Sequence, residues 1–222
     1  MKRAITILFI CLLPFSAYCL SDRDAFELLS QKTKEIKQFP FHVYIAHNYD
    51  YGGFKGVSLP VSVYDFFQPY YAELRFKQPN EIFATYQFPQ GARWKCFLLR
   101  HPNVYASNGI SIWVFDREWN CWQEPIKIAE WWGDAGYSID VQAWIEDLNK
   151  DGWFDIVVRT LETDINLEDP QTPTPTTIKK KDTIFLWDKD HFIDASREYL
   201  PRMKLDQYRF KEYEYQVEPY GY

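Results

Sequence analysis

The chain has 222 residues, with 25 basic side chains against 31 acidic ones, a formal net charge of −6 and 19% aromatic residues. That balance argues against a nucleic-acid partner, because phosphate backbones are held by clustered Lys and Arg; the one basic run, Lys179–Lys181, reads as part of a solvated loop. The length suits one sizeable core, and so many aromatics suit pleated sheet better than helix.

Residues 1–19 read as a secretory signal peptide: Met1-Lys2-Arg3 is a positive start, Ala4 to Phe15 an apolar run, and Ser16-Ala17-Tyr18-Cys19 a small-residue exit. Cleavage after Cys19 leaves Leu20 first. A lipoprotein-type cleavage before Cys19 is the alternative, although Tyr18 stands where a small residue is wanted. Loss of Lys2 and Arg3, with no acid in the segment, takes the charge from −6 to −8. The apolar run is short of the roughly 20 residues of a membrane-spanning helix, so the mature chain is expected to have no transmembrane segment and to be periplasmic or extracellular, with residues 20–222 forming a single domain.

Ser21 to Lys37 is the one good helix candidate, with Ser21 or Asp22 as N-cap, early acids at Asp22 and Asp24, and a stripe at Phe26, Leu29, Thr33 and Ile36. Strand-like segments follow at Phe41–His47, Val57–Phe67, Tyr70–Lys77, Glu81–Phe88, Trp94–Arg100, Ile110–Asp116, Pro125–Glu130 and Thr183–Asp188, separated by Gly, Pro and Asn turn formers. The fold class expected is all-β, mainly antiparallel, a propeller-like or sandwich-like meander with one short N-terminal helix. Residues 166–182, rich in Pro and Thr, read as a flexible or polyproline-like loop. The C-terminal Tyr208–Tyr222 alternates aromatic and polar residues, as a closing edge strand or a peptide-like tail would.

The richest motif is Asp147-Leu-Asn-Lys-Asp-Gly-Trp-Phe-Asp155, with oxygen-bearing side chains at relative positions 1, 3, 5 and 9 and glycine at 6. Ca²⁺ takes about 6–8 oxygen ligands, and Asp147, Asn149, Asp151, the Trp153 carbonyl and Asp155 supply five from one tight turn, which also relieves the repulsion among three carboxylates. An Asx-rich turn that binds nothing is the competing reading. An EF-hand is excluded: its position-12 glutamate is Val158 here, and the flanks, Val141–Ile145 and Ile156–Leu161, are β-branched and aromatic, so residues 141–161 read as a hairpin. This segment resembles the FG-GAP/VCBS-type calcium hairpin of integrin-like and bacterial β-propeller blades, D-x-[DN]-x-D-G-x-x-D followed by an aliphatic strand. The resemblance implies a bound calcium ion and a blade-like sheet; the motif stands here once, where those proteins repeat it.

Cys96 and Cys121 are the only cysteines after residue 19. Export makes a disulfide between them chemically permitted, with two buried free thiols as the alternative. Seven tryptophans lie between Trp113 and Trp153; most fit a core, and Trp131 or Trp132 is expected at the surface, available for binding. His42, His47, His101 and His191 belong to no motif with an acid and a nucleophile, and read as surface or strand residues. With no G-x-S-x-G, H-E-x-x-H or P-loop present, a non-enzymatic, calcium-stabilised binding protein of the bacterial cell envelope is expected, with a protein or glycan partner. Similarity in outline to lysozyme inhibitors and effector-immunity proteins suggests one alternative, and a carbohydrate-binding or polysaccharide-processing envelope protein is another.

Overall fold

The structure, a computed structural model, describes residues 20–45, 52–67, 82–102, 109–134, 137–166 and 174–211. The signal segment, His47 and the segment 70–77 lie outside the described residues. Helix α1 spans Asp22–Lys32, capped by Ser21, whose Oγ accepts a hydrogen bond from the Asp24 N–H at 3.1 Å. It stops five residues short of the expected Lys37. Thr33 is already extended and returns its hydroxyl to the Leu29 carbonyl (2.6 Å), and Ile36 is drawn into a different core from Phe26 and Leu29, which one helix face could not serve.

Among the described residues twelve strands form one sheet: β1 Lys34–Glu35, β2 Phe41–Val43, β3 Val57–Ser58, β4 Phe83–Gln90, β5 Trp94–His101, β6 Gly109–Asp116, β7 Cys121–Trp122, β8 Ile126–Asp134, β9 Tyr137–Glu146, β10 Asp155–Asn166, β11 Thr174–Asp188 and β12 His191–Asp194. From β4 onward the main path is an antiparallel meander, β4-β5-β6-β8-β9-β10-β11-β12, so the protein is all-β. The segment expected as a strand over Val57–Phe67 is instead a two-residue strand, Pro60, a 3-10 turn at Val61–Val63 and a short helix, α2, Tyr64–Phe67. Pro60 has no N–H to give a ladder. A further helical turn, α3, spans Ser196–Tyr199. No helix among the described residues is long and apolar enough to cross a membrane.

The N-terminal segment closes the sheet on itself. β1 pairs in parallel with β4 (Lys34 opposite Tyr86), and β2 pairs antiparallel with β9 (Phe41 opposite Ile145). Residues 34–43 thus bridge the edge of β4 to the middle of the meander, enclosing a core of Ile36, Val43, Phe88, Cys96, Ile112, Val114, Ala143, Ile145 and Ile156. A second core lies on the opposite face, where Ala25, Phe26 and Leu29 of α1 meet Phe97, Leu99, Trp113 and Phe115. β6 is buried along its whole length because it faces both cores, and its side chains alternate between them.

The Pro/Thr-rich stretch is mostly strand. β10 continues to Asn166 and β11 begins at Thr174, with Thr163 opposite Ile178 and Arg159 opposite Asp182. Only residues 167–173 of the expected loop lie outside the described residues. β-Branched Thr177 and Ile178 favour the ladder, and Pro175 is tolerated on the stretch of β11 that β12 does not cover. The exposed Lys179–Lys181 put charge on that edge, which discourages further strand pairing.

Among the described residues the two cysteines are free, Cys96 buried and Cys121 exposed. Sheet order separates them: β5 and β7 flank β6 on opposite sides, with Cys96 opposite Val114 and Cys121 opposite Asp116. Two inter-strand spacings amount to about 9.5 Å, beyond the roughly 7 Å that a disulfide can bridge.

Candidate metal centre

The nine-residue motif is the turn between β9 and β10, which pair in unbroken register from Glu146 opposite Asp155 to Tyr137 opposite Asp164. The expected hairpin is therefore present, and longer at its far end. Reversing the chain here needs two left-handed residues, Lys150 at φ 62° and Gly152 at φ 90°. A Cβ on Gly152 would meet open space, so the requirement for glycine there is conformational and not steric.

The turn's side chains fold inward onto its own backbone. Asp147 accepts from the N–H groups of Asp151 (3.1 Å) and Gly152 (3.0 Å), and Asn149 Oδ1 also accepts from Asp151 N (3.0 Å). Asp151 Oδ1 accepts from Trp153 N (2.8 Å), and its Oδ2 from Asn149 Nδ2 (2.7 Å). Asp155 is fully buried and locks the turn's two sides, accepting from Leu148 N at 3.0 Å and from Trp187 N on β11 at 2.9 Å. Burial raises its carboxyl to about 6, against the two hydrogen bonds that lower it, and the charges of Asp151 and Asp147 add to the rise. The charges of Asp151 and Asp147 are thus near enough to oppose the ionisation of Asp155.

Among the described residues no group of three or more His, Cys, Asp or Glu side chains is arranged as a metal cluster. Two of the five donors expected from the sequence, Asn149 and the Trp153 carbonyl, are of other types, and the acids are engaged with backbone N–H groups. The donor set is nevertheless all hard oxygen, free of nitrogen and sulfur, and this chemistry suits Ca²⁺ over a transition metal.

Besides Asp155, two side chains, Gln90 and Trp153, tie the turn to parts of the chain far away in sequence. The Gln90 side chain at the end of β4 bonds the Phe154 backbone in both directions. The Trp153 ring packs on Gly91 so closely that a Cβ there would sit 2.4 Å from it, and stacks on Trp187 with centroids 6.2 Å apart. Sequence reasoning missed Gln90 and Trp187 because nothing local marks a partner 64 or 34 residues away.

Elsewhere, His42 stacks on Trp144 (4.3 Å, 9°) and bonds Gln142 Oε1 at 2.8 Å, burial lowering its pKa. His101 Nε2 lies 2.8 Å from Ser111 Oγ, but both side chains are buried, and burial lowers the histidine to about 4. Trp131 and Trp132 are half-buried, and the strongly exposed tryptophan is Trp119, at 71%. No protein-family model matches this chain, and no curated protein or solved structure matches it either.

Proposed function

We propose that the chain is an exported, calcium-stabilised binding protein of the bacterial cell envelope, without chemistry of its own. One Ca²⁺ is held by Asp147, Asn149, Asp151, the Trp153 carbonyl and Asp155. The observation that carries this reading is the turn itself: five oxygen donors within nine residues, on a backbone bent by Lys150 and Gly152, with the acids gathered closely enough to repel. A cation there offsets that repulsion and fixes the end of a hairpin that touches β4 and β11. The ion's part is structural, since a turn supplying five protein oxygens leaves room for only a water or two.

Titration calorimetry on metal-stripped protein tests this: about one Ca²⁺ per chain is expected, abolished in Asp151→Ala, and no heat would sink the assignment. The partner is a protein or a glycan of the envelope. Exposed Trp119 favours a site able to stack on a sugar ring or anchor a protein surface. Pull-down from periplasmic extract with wild type and Trp119→Ala discriminates the two; undiminished capture by the variant would remove Trp119 from the interface.

A further inference from the structure

The back of the metal hairpin carries a small apolar cluster of its own. Trp144 of β9 and Val157 of β10 form its floor, and the C-terminal segment 203–211 lies across it, with Tyr208 buried and Met203 and Leu205 packed beside it. The metal turn contributes directly, because Leu148, its second residue, packs against the same cluster. Burial raises the Tyr208 phenol above its usual range, and the charge of Glu146, immediately before the turn, adds to the rise. The segment's other fastenings lie farther along the strands: Arg159 Nη1 donates to the carbonyls of Leu205 (3.0 Å) and Tyr208 (2.6 Å), and Gln142 Oε1 accepts from Lys211 N (3.0 Å).

We propose that calcium in the 147–155 turn governs the docking of the C-terminal strap, residues 203–211, through Leu148. The inference rests on the calcium reading above and extends it to regulation. Leu148 donates its N–H to Asp155 Oδ2 while its side chain packs against the cluster that the strap covers, so one residue joins the donor set to the cluster. Ordering the turn holds Leu148 against the cluster that Tyr208 completes; loosening it removes one wall of the cluster and uncovers Trp144 and Val157. Energetic coupling is reciprocal, so the strap in turn tightens calcium binding by the factor with which calcium protects the strap.

Amide hydrogen exchange on the full chain, with Ca²⁺ and with chelator, tests the coupling. Removing calcium should speed exchange at Tyr208 and Lys211 by about tenfold, while amides of β6 stay unchanged. Leu148→Ala, which keeps every proposed ligand, should leave the strap's exchange fast and indifferent to calcium, and should weaken calcium binding by a similar factor. If calorimetry shows calcium binding but strap exchange does not respond, the coupling is overturned and the calcium site stands; if no calcium binds, both fall. A Leu148→Ala protein whose strap still responds to calcium would also overturn it.

Discussion

Gln90 and Phe154 are 64 residues apart, yet the Gln90 amide satisfies both backbone groups of Phe154, donating from Nε2 to its carbonyl at 2.7 Å and accepting its N–H on Oε1 at 3.0 Å. Gln90 is 1% exposed, so water cannot replace it. Gln90→Leu should destabilise the fold by about 2–4 kcal/mol, because two backbone groups lose their partner away from solvent. Urea unfolding measures this. A change below about 0.5 kcal/mol would show that the turn does not depend on β4.

Calcium should raise the melting temperature. Free ion at about 100 times its dissociation constant adds roughly 2.7 kcal/mol, which for a domain of this size corresponds to about 5–10 °C. Thermal scans in chelator and in excess Ca²⁺ should differ by that amount in wild type and coincide in Asp151→Ala. Equal midpoints in wild type would mean that the ion does not hold the fold.

Asp140 on β9 supplies the pH dependence. Burial pushes its carboxyl from 3.8 up to about 7, against the Gln142 Nε2 bond that lowers it, and its Oδ1 is buried without a partner. Between those two values the folded state keeps a proton that the unfolded state has lost, so this group costs stability as pH rises through the window and levels off above it. Asp140→Asn should gain about 1–2 kcal/mol at pH 8, allowing for partial exposure, and nothing near pH 4. Urea midpoints of both proteins across pH 4–8 check it; a constant difference would remove Asp140 as the source.

The two thiols should behave differently. Cys121 is exposed, whereas burial drives the Cys96 thiol far above its usual range. A chain beginning at Leu20 should show one thiol titrating with a disulfide reagent in native buffer and the second only on unfolding. Mass spectrometry of unreduced peptides should find no Cys96–Cys121 link, and finding one would contradict the sheet order around β6.

Local chemistry was legible in the sequence. Ser21 with Asp24 marked the helix start, Asn149, Asp151 and Gly152 marked the β9–β10 turn, and β-branched runs marked most strands, because caps, turns and strand periodicity act over a few residues. The helix end at Lys32 was not legible: Thr33 to Ile36 continue the helical spacing, and only the pairing of Lys34 and Glu35 with β4 draws them out straight. The strand over Thr174–Asp182 was hidden for the same reason, since a Pro/Thr/Lys stretch becomes sheet only when β10 lies alongside to take its hydrogen bonds. At the candidate site the sequence determined which oxygens stand in the turn. The tertiary structure alone decided that Asp155 would be buried under Trp187 and that Gln90 would clasp Phe154, because both contacts arise from a sheet curled back on itself, and curvature is set by pairings between strands distant in the chain.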